Sequence, residues 1–187
     1  GLLRTERPSC LSAWAIDFYV FVVRGTPILV QVYAAYFLLP MMGLDLAPFW
    51  VGIVALVFNS AGYQVEIARA SLLSVDGGQR EAAQALGLRR HQALRLVVIP
   101  QAIARMWPAL ANEASNLVKA SSVLSVIAVF ELHKAANAII SQSYKFLEML
   151  AAQAVLYMAF VVTLTQLAGW LERRAGRKGL STPEALR

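Results

Sequence analysis

Phe146–Trp170 reads FLEMLAAQAVLYMAFVVTLTQLAGW, a stretch long and apolar enough to cross a bilayer as one helix, which takes roughly 20 residues. Ala47–Ala68 and Pro108–Phe130 have the same character. A fourth candidate is less regular. Pro27–Leu39 is too short to span alone, Ala13–Val23 before it is also apolar, and Arg24-Gly25-Thr26-Pro27 separates them. Proline lacks an amide donor and clashes with the preceding turn, so a kinked or broken helix is predicted over about 11–39. At membrane depth a break is tolerated only where protein or water satisfies the freed backbone groups, which places it inside the bundle and away from lipid. The fold class expected is all-α, a polytopic membrane helix bundle with four transmembrane helices at about 11–39, 47–68, 108–130 and 146–170. Residues 1–175 are read as a single transmembrane domain and 176–187 as a polar tail.

Composition agrees. Of 187 residues, 58% are hydrophobic and 15% charged, whereas a soluble domain carries about a quarter charged residues. So much apolar surface excludes disorder, and Cys10, the lone cysteine, excludes a disulfide scaffold. The net charge of +6 could indicate nucleic acid, but its placement says otherwise. Arg4, Arg7 and Arg24 lie around the start; Arg69, Arg80, Arg89, Arg90, Arg95 and Arg105 lie between the second and third spans; Arg173, Arg174, Arg177, Lys178 and Arg187 lie at the end. The opposite loops hold Lys134 and Lys145. The positive-inside rule puts both termini and the long middle loop in the cytoplasm, so the basic charge is topological and no nucleic acid is expected as a partner.

The middle loop, about 71–106, has a pattern of its own. Asp76-Gly77-Gly78-Gln79 resembles a capping box, Arg80–Leu86 are good helix formers, and Gly87 is a candidate left-handed cap. A second helical stretch, 88–99, is expected to stop at Pro100, a residue suited to begin the next segment. The result is a cytoplasmic helix–turn–helix hairpin in which Ala82 and Ala83 leave a shallow surface for close approach by another protein. Glu81, Arg89 and Arg90 supply charges around it.

Glu81-Ala82-Ala83, three residues, Gly87, nine residues, then Val97-Val98-Ile99-Pro100 resembles the EAA loop of ABC importer permeases, written E-A-A-x3-G-x9-I-x-L-P. Within that superfamily the chain is similar to the polar amino-acid uptake branch, of the histidine, glutamine and arginine type. Arg24-Gly25-Thr26-Pro27-Ile28-Leu29-Val30-Gln31 is close to its R-G-T-P-L-L-V-Q signature. Glu66-Ile67-Ala68-Arg69, Gly78–Ala83 and Leu117-Val118-Lys119 with Ser121-Ser122 extend the likeness over about residues 4–175. The chain departs from the pattern at Val75–Gln79, where I-P-x-G-Q is usual, and at Ala120, where an acid is usual.

The resemblance implies a permease subunit of the bacterial cytoplasmic (inner) membrane, with its C-terminus cytoplasmic. Its implied partners are two cytoplasmic ABC ATPase subunits, a second permease subunit (homo- or heterodimer), an extracytoplasmic amino-acid-binding protein and the lipid bilayer. The hairpin around Glu81, Ala82, Ala83, Gly87 and Pro100 would be the coupling helix that docks on the ATPase. Family members typically have five membrane helices. That number, and the apolar Gly1-Leu2-Leu3, lead us to expect a further helix upstream.

No P-loop pattern occurs in the sequence, so this chain is expected to bind no cofactor, with ATP and Mg bound by the partner ATPase. No catalytic residue and no metal ligand are expected. His91 and His133 fall on opposite membrane sides and lack Cys or His neighbours at ligand spacing. Lys119 is costly at membrane depth, and at helical spacing Asn112, Ser115 and Ser122 share its face. Two readings stand for this stripe: a lining of the substrate pathway, or a packing role with Lys119 satisfied by carbonyls. Asn59, Ser60 and Gln64 offer the same choice between pathway and helix–helix hydrogen bonding. Arg24, Gly25 and Pro27 are assigned to the structural kink, Arg24 reaching carbonyls or snorkelling. Glu66 and Arg69 are read as a salt-bridge pair or interface anchors. Two rivals are an ion-driven secondary transporter, which leaves the hairpin unexplained, and an intramembrane serine protease using Lys119 with Ser115 or Ser122.

Overall fold

The computed structural model describes residues 10–176. Arg4, Arg7, Arg177, Lys178, Arg187 and the expected tail past Gly176 lie outside the described residues. Every regular element among the described residues is helical, as the composition requires.

Two helices, α1 (Cys10–Gly25) and α2 (Ile28–Met41), replace the first predicted span. Their axes bend by 111°, so of the two expected forms, kinked or broken, the structure has the broken one, a corner between two helices. The corner falls where Pro27 predicted it. Pro27 sits at φ −63°, ψ 141°, the extended region in which a proline opens a helix without needing its missing donor, and its carbonyl accepts from the amides of Val30 and Gln31.

Helix α3 (Pro48–Leu73) has 26 residues, about 39 Å at 1.5 Å per residue, and continues past the expected end at 68. After it come α4 (Gly77–Ala85), the short α5 (Arg90–Ala93), a π-turn (Leu94–Val98) and α6 (Ile99–Ala120). Pro100 lies in the first turn of α6, the next segment it was suited to begin, but the chain reaches it without the expected stop. The ring of a proline clashes with the carbonyl four residues back in an α-helix. In the π-turn the bonds span five residues, Ile99 N–H donating to the Leu94 carbonyl, and the wider turn just before Pro100 absorbs its missing bond.

The third predicted span, 108–130, is also corrected. It begins inside α6, which encloses Pro108, tightens to a 3₁₀ turn over Ser121–Ile127, and stops at Ala128, whose φ is +65°. Serine chemistry explains the tightening. The hydroxyls of Ser122 and Ser125 donate to the Lys119 and Ser122 carbonyls, each at 2.8 Å, competing with the α-helical pattern. Helix α7 (Leu132–Ser143) then occupies what the sequence reading left as a loop. Glu131 caps it, its carboxylate accepting from the amides of His133 at 2.7 Å and Lys134 at 2.6 Å. Helix α8 (Phe146–Gly176) matches the fourth span and overshoots Trp170. None of its apolar window is buried by the rest of the chain, so its surface is left for lipid or other chains.

The described residues fall into two compact units. In the unit formed by residues up to Glu66 with Lys119–Ala154, Val32 of α2 packs with Val51 and Ala55 of α3 and with Leu124, Ile127 and Val129. Two glycines of α3 permit the contacts: a Cβ on Gly52 would stand 2.8 Å from Leu124 Cδ1, and one on Gly62 would stand 2.7 Å from Val23 Cγ1. In the unit formed by Ile67–Val118 with the chain from Val155, Leu72 packs on the buried Val75, Val98 and Ala102.

Because Val23 is fully buried, Gly62→Leu is expected to destabilise the protein by about 1–3 kcal/mol, the usual cost of overpacking. Thermal unfolding in detergent checks this, with Gly25→Ala as a control that should change little, since nothing lies within 4 Å of that added carbon.

Candidate functional site

Asp76 starts α4 as the sequence predicts, its carboxylate accepting from the Gly78 amide at 3.0 Å. Gln79 does not close the box; its side-chain oxygen accepts from Gln101 at 3.3 Å. The helix ends at Gly87, which adopts φ +84°. Gly87 N–H donates to the Gln84 carbonyl at 2.9 Å and Leu88 N–H to the Ala83 carbonyl at 3.1 Å, the paired bonds of a left-handed helix stop. Gln92 then accepts from the Arg89 amide at 2.9 Å to open α5.

The outer face of this hairpin differs in one respect from the expected one. Glu81, Ala82, Gln84, Ala85, Leu86, Arg89 and Arg90 are exposed, but Ala83 is buried, at 2% exposure. Its small side chain faces the unit's own interior, because residues 83 and 82 point about 100° apart on a helix. Ala82 alone of the pair offers the shallow surface. Leu86, 84% exposed, is an apolar knob on an otherwise polar hairpin. Pro100 is exposed, within the first turn of α6.

The break between α1 and α2 is satisfied from within. The Gln31 amide donates to the carbonyls of Val23 at 2.9 Å and Thr26 at 3.2 Å and to the Thr26 hydroxyl at 2.8 Å. Thr26 in turn donates to the Val22 carbonyl at 2.8 Å. Asn59 of α3 holds this amide in place, donating to Gln31 Oε1 at 3.0 Å. Arg24 reaches a carboxylate, not a carbonyl: it pairs with Glu66 at 3.1 Å. Tyr19 OH donates to the Phe58 carbonyl at 2.5 Å. Contacts at residues 58, 62 and 66 of α3 therefore follow one face, four residues apart. Gln64 donates to Ser60 on its own helix at 3.1 Å.

The proposed polar stripe on α6 is divided. Ser115 is buried, donating to the Ala111 carbonyl at 2.9 Å, and Glu113 is buried as well. Asn112 and Lys119 are exposed, and so is Asn116, which the sequence reading passed over. Ser122 lies past the end of α6, in the 3₁₀ turn, bonded to Lys119 through its carbonyl. Sequence reasoning also missed Gln31, Thr26, Arg80 and Arg105 as structural polar residues. Gln31, a lone amide in the run ILVQVY three residues into a helix after a proline, carried the signal.

The chain matches the family model for the binding-protein-dependent transport system inner membrane component over residues 7–177. It is similar to the octopine transport system permease protein OccM of Rhizobium radiobacter, 38% identical over 201 residues that cover 95% of this chain and 78% of that protein. The arginine transport system permease protein ArtQ of Bacillus subtilis is 37% identical, with 86% of this chain and 74% of that protein covered. The glutamine transport system permease protein GlnP of Escherichia coli is 41% identical, with 83% and 72% covered. A crystal structure of an amino acid ABC transporter with histidines superposes with a TM-score of 0.78 at 40% identity, covering 84% of this chain and 74% of that one. With nearly its whole length matched by the family model and its helices superposing on a solved transporter, this chain belongs to the family of binding-protein-dependent transport system inner membrane components.

Proposed function

We propose that this chain is the permease subunit of an ATP-driven importer of polar amino acids, coupled to its ATPase through the hairpin Gly77–Ala93. The observation that carries the reading is the turn at Gly87, at φ +84°, set six residues after Glu81 on an exposed hairpin. The named substrates of the relatives are octopine, arginine and glutamine, which supports an amino acid or a derivative of one as cargo. Two partner ATPase subunits bind ATP with Mg and hydrolyse the ATP, and an extracytoplasmic binding protein delivers the substrate to this chain and a second permease subunit.

In this mechanism Glu81, Ala82 and Leu86 meet the ATPase. Ala82 allows close approach, Leu86 inserts its exposed side chain, and Glu81 contributes charge at the edge. Closure of the ATPases on ATP moves the hairpin and with it α3 and α6, the helices that flank it. The pathway alternates from inward-facing to outward-facing. Asn112 and Lys119 line the path as hydrogen-bond donors, and Lys119 bears its charge there because an exposed ammonium against hydrocarbon would be costly. Asn59, Gln64 and Ser115 support the helices through the bonds described above.

Three outcomes are expected. Gly87→Val lowers uptake by about tenfold or more while insertion persists, since a β-branched residue in the left-handed region costs about 1–3 kcal/mol. Uptake of labelled glutamine or arginine by proteoliposomes holding permease, ATPase and binding protein checks it, and normal uptake counts against the docking role. Lys119→Met lowers uptake by about tenfold, the scale of one lost bond to a charged group, with ATPase co-purification unchanged. In a Cys10→Ser background, a membrane-impermeant maleimide labels Tyr144→Cys in intact cells but Leu86→Cys only in inverted vesicles made from cells that lack the ATPase. Both positions are exposed, at 88% and 84%, so the side of labelling reports topology.

A further inference from the structure

The carbonyls that close a helix have no partner within it, and a helix C-terminus favours positive charge. At the end of α3 two guanidinium groups from two different elements fill that role. Arg80, on α4, donates to the Leu72 carbonyl at 3.1 Å. Arg105, on α6, donates to the Ser74 carbonyl, with the Ser74 hydroxyl at 3.4 Å. The Gln101 amide, also on α6, donates to Gln79 of α4 at 3.3 Å. These bonds join α3, α4 and α6 pairwise into a closed triangle around Leu72, Val75, Val98 and Ala102.

Stability alone does not account for the triangle. Arg80 Nε is buried with no acceptor among the described residues, a cost that a purely stabilising contact would shed. Arg105 is exposed, so its removal opens no cavity, and the Ser74 carbonyl it leaves behind belongs to an exposed residue. What these side chains do uniquely is tie the hairpin to both membrane helices it must move. Without Arg105, α6 would keep its covalent link to the hairpin and the apolar contact of Ala102 with Leu72, but it would lose its directional polar bond to the end of α3.

We propose that Arg105 is a positioning residue for transport: with Arg80 it locks the ends of α3 and α6 to the hairpin, so that displacement of the hairpin moves both helices as one body. The inference rests on the importer reading above. Its signature is uncoupling: the ATPase still docks and hydrolyses ATP, but liganded binding protein no longer stimulates it and substrate no longer enters.

The test uses the full complex of permease, ATPase and binding protein in proteoliposomes, with hydrolysis and uptake measured together. Arg105→Ala is expected to keep ATPase co-purification and basal hydrolysis while lowering stimulation by binding protein and uptake by about tenfold, within the usual range of coupling between sites. Arg105→Lys, which keeps one charged donor, recovers a measurable part of both. A second variant, Ser74→Cys with Arg105→Cys in a Cys10→Ser background, restores the tie by a short bifunctional methanethiosulfonate and loses it on reduction. If Arg105→Ala impairs assembly, this reversible pair decides. Stimulation and uptake at wild-type levels in Arg105→Ala, or indifference of the cysteine pair to crosslinking, overturns the proposal. A wild-type complex that transports without hydrolysing ATP overturns the importer reading itself, an outcome separable from the others.

Discussion

In hydrocarbon there is no water to take up an unpaired amide or carbonyl, and each one left open costs several kcal/mol. The helices of this chain bend and tighten under that constraint, and several of its polar side chains serve those interruptions. The corner between α1 and α2 leaves the carbonyls of Val23 and Thr26 without helical donors, and one Gln31 amide serves both. Beyond the apolar part of α3, its last carbonyls at Leu72 and Ser74 are served by two arginines, as a helix C-terminus favours positive charge in water too. After Ala120, the hydroxyls of Ser122 and Ser125 take over carbonyls that the α-helical pattern releases.

The same economy shapes the hairpin. Its helix is only nine residues long, too short to be stable alone, so both ends are pinned: Asp76 holds the start and Gly87 with Leu88 the finish. Ala83 turns inward beside them. What is left facing outward is a short helix fixed at both ends, with Ala82 between exposed polar residues and Leu86. The π-turn at Leu94–Val98 then carries the chain into α6 without a loop. The hairpin is therefore joined to α6 by continuous helix on one side and to α3 by a guanidinium tie on the other.

Much of this was legible in the sequence. Long apolar runs announced α3 and α8, Pro27 announced the corner, and the Asp76 and Gly87 caps announced the hairpin, because each is a local effect of composition or backbone chemistry. What was not legible depends on neighbours. A proline fixes where a helix breaks but not the angle, here 111°, at which Val23 seats on Gly62 of α3. Pro100 was legible as the start of the next segment, but the π-turn that joins it to the stretch before leaves no local signal. The face on which Ala83 points, and the inward turn of Ser115, likewise follow from the interior each helix meets. Asn59 read equally well as a pathway residue or as a helix–helix bond; the structure gives it a partner in Gln31. The exposure of Asn116 went unread because an asparagine beside a lysine in an apolar run carries no preferred direction.

The corner at Gln31 also bears on biosynthesis. A chain is delivered to the membrane from its N-terminus, so α1 and α2 arrive before the α3 residues that pack on them. Gln31 bonds Val23 and Thr26 from only eight and five residues away, which means the corner can be sealed as soon as its own segment is made. Asn59, Gly62 and Glu66 come later and clasp a shape already formed. A sharp bend in the bilayer is thus spared a period of exposure to lipid and to the quality-control proteases that recognise such exposure, and the order of synthesis becomes an order of assembly.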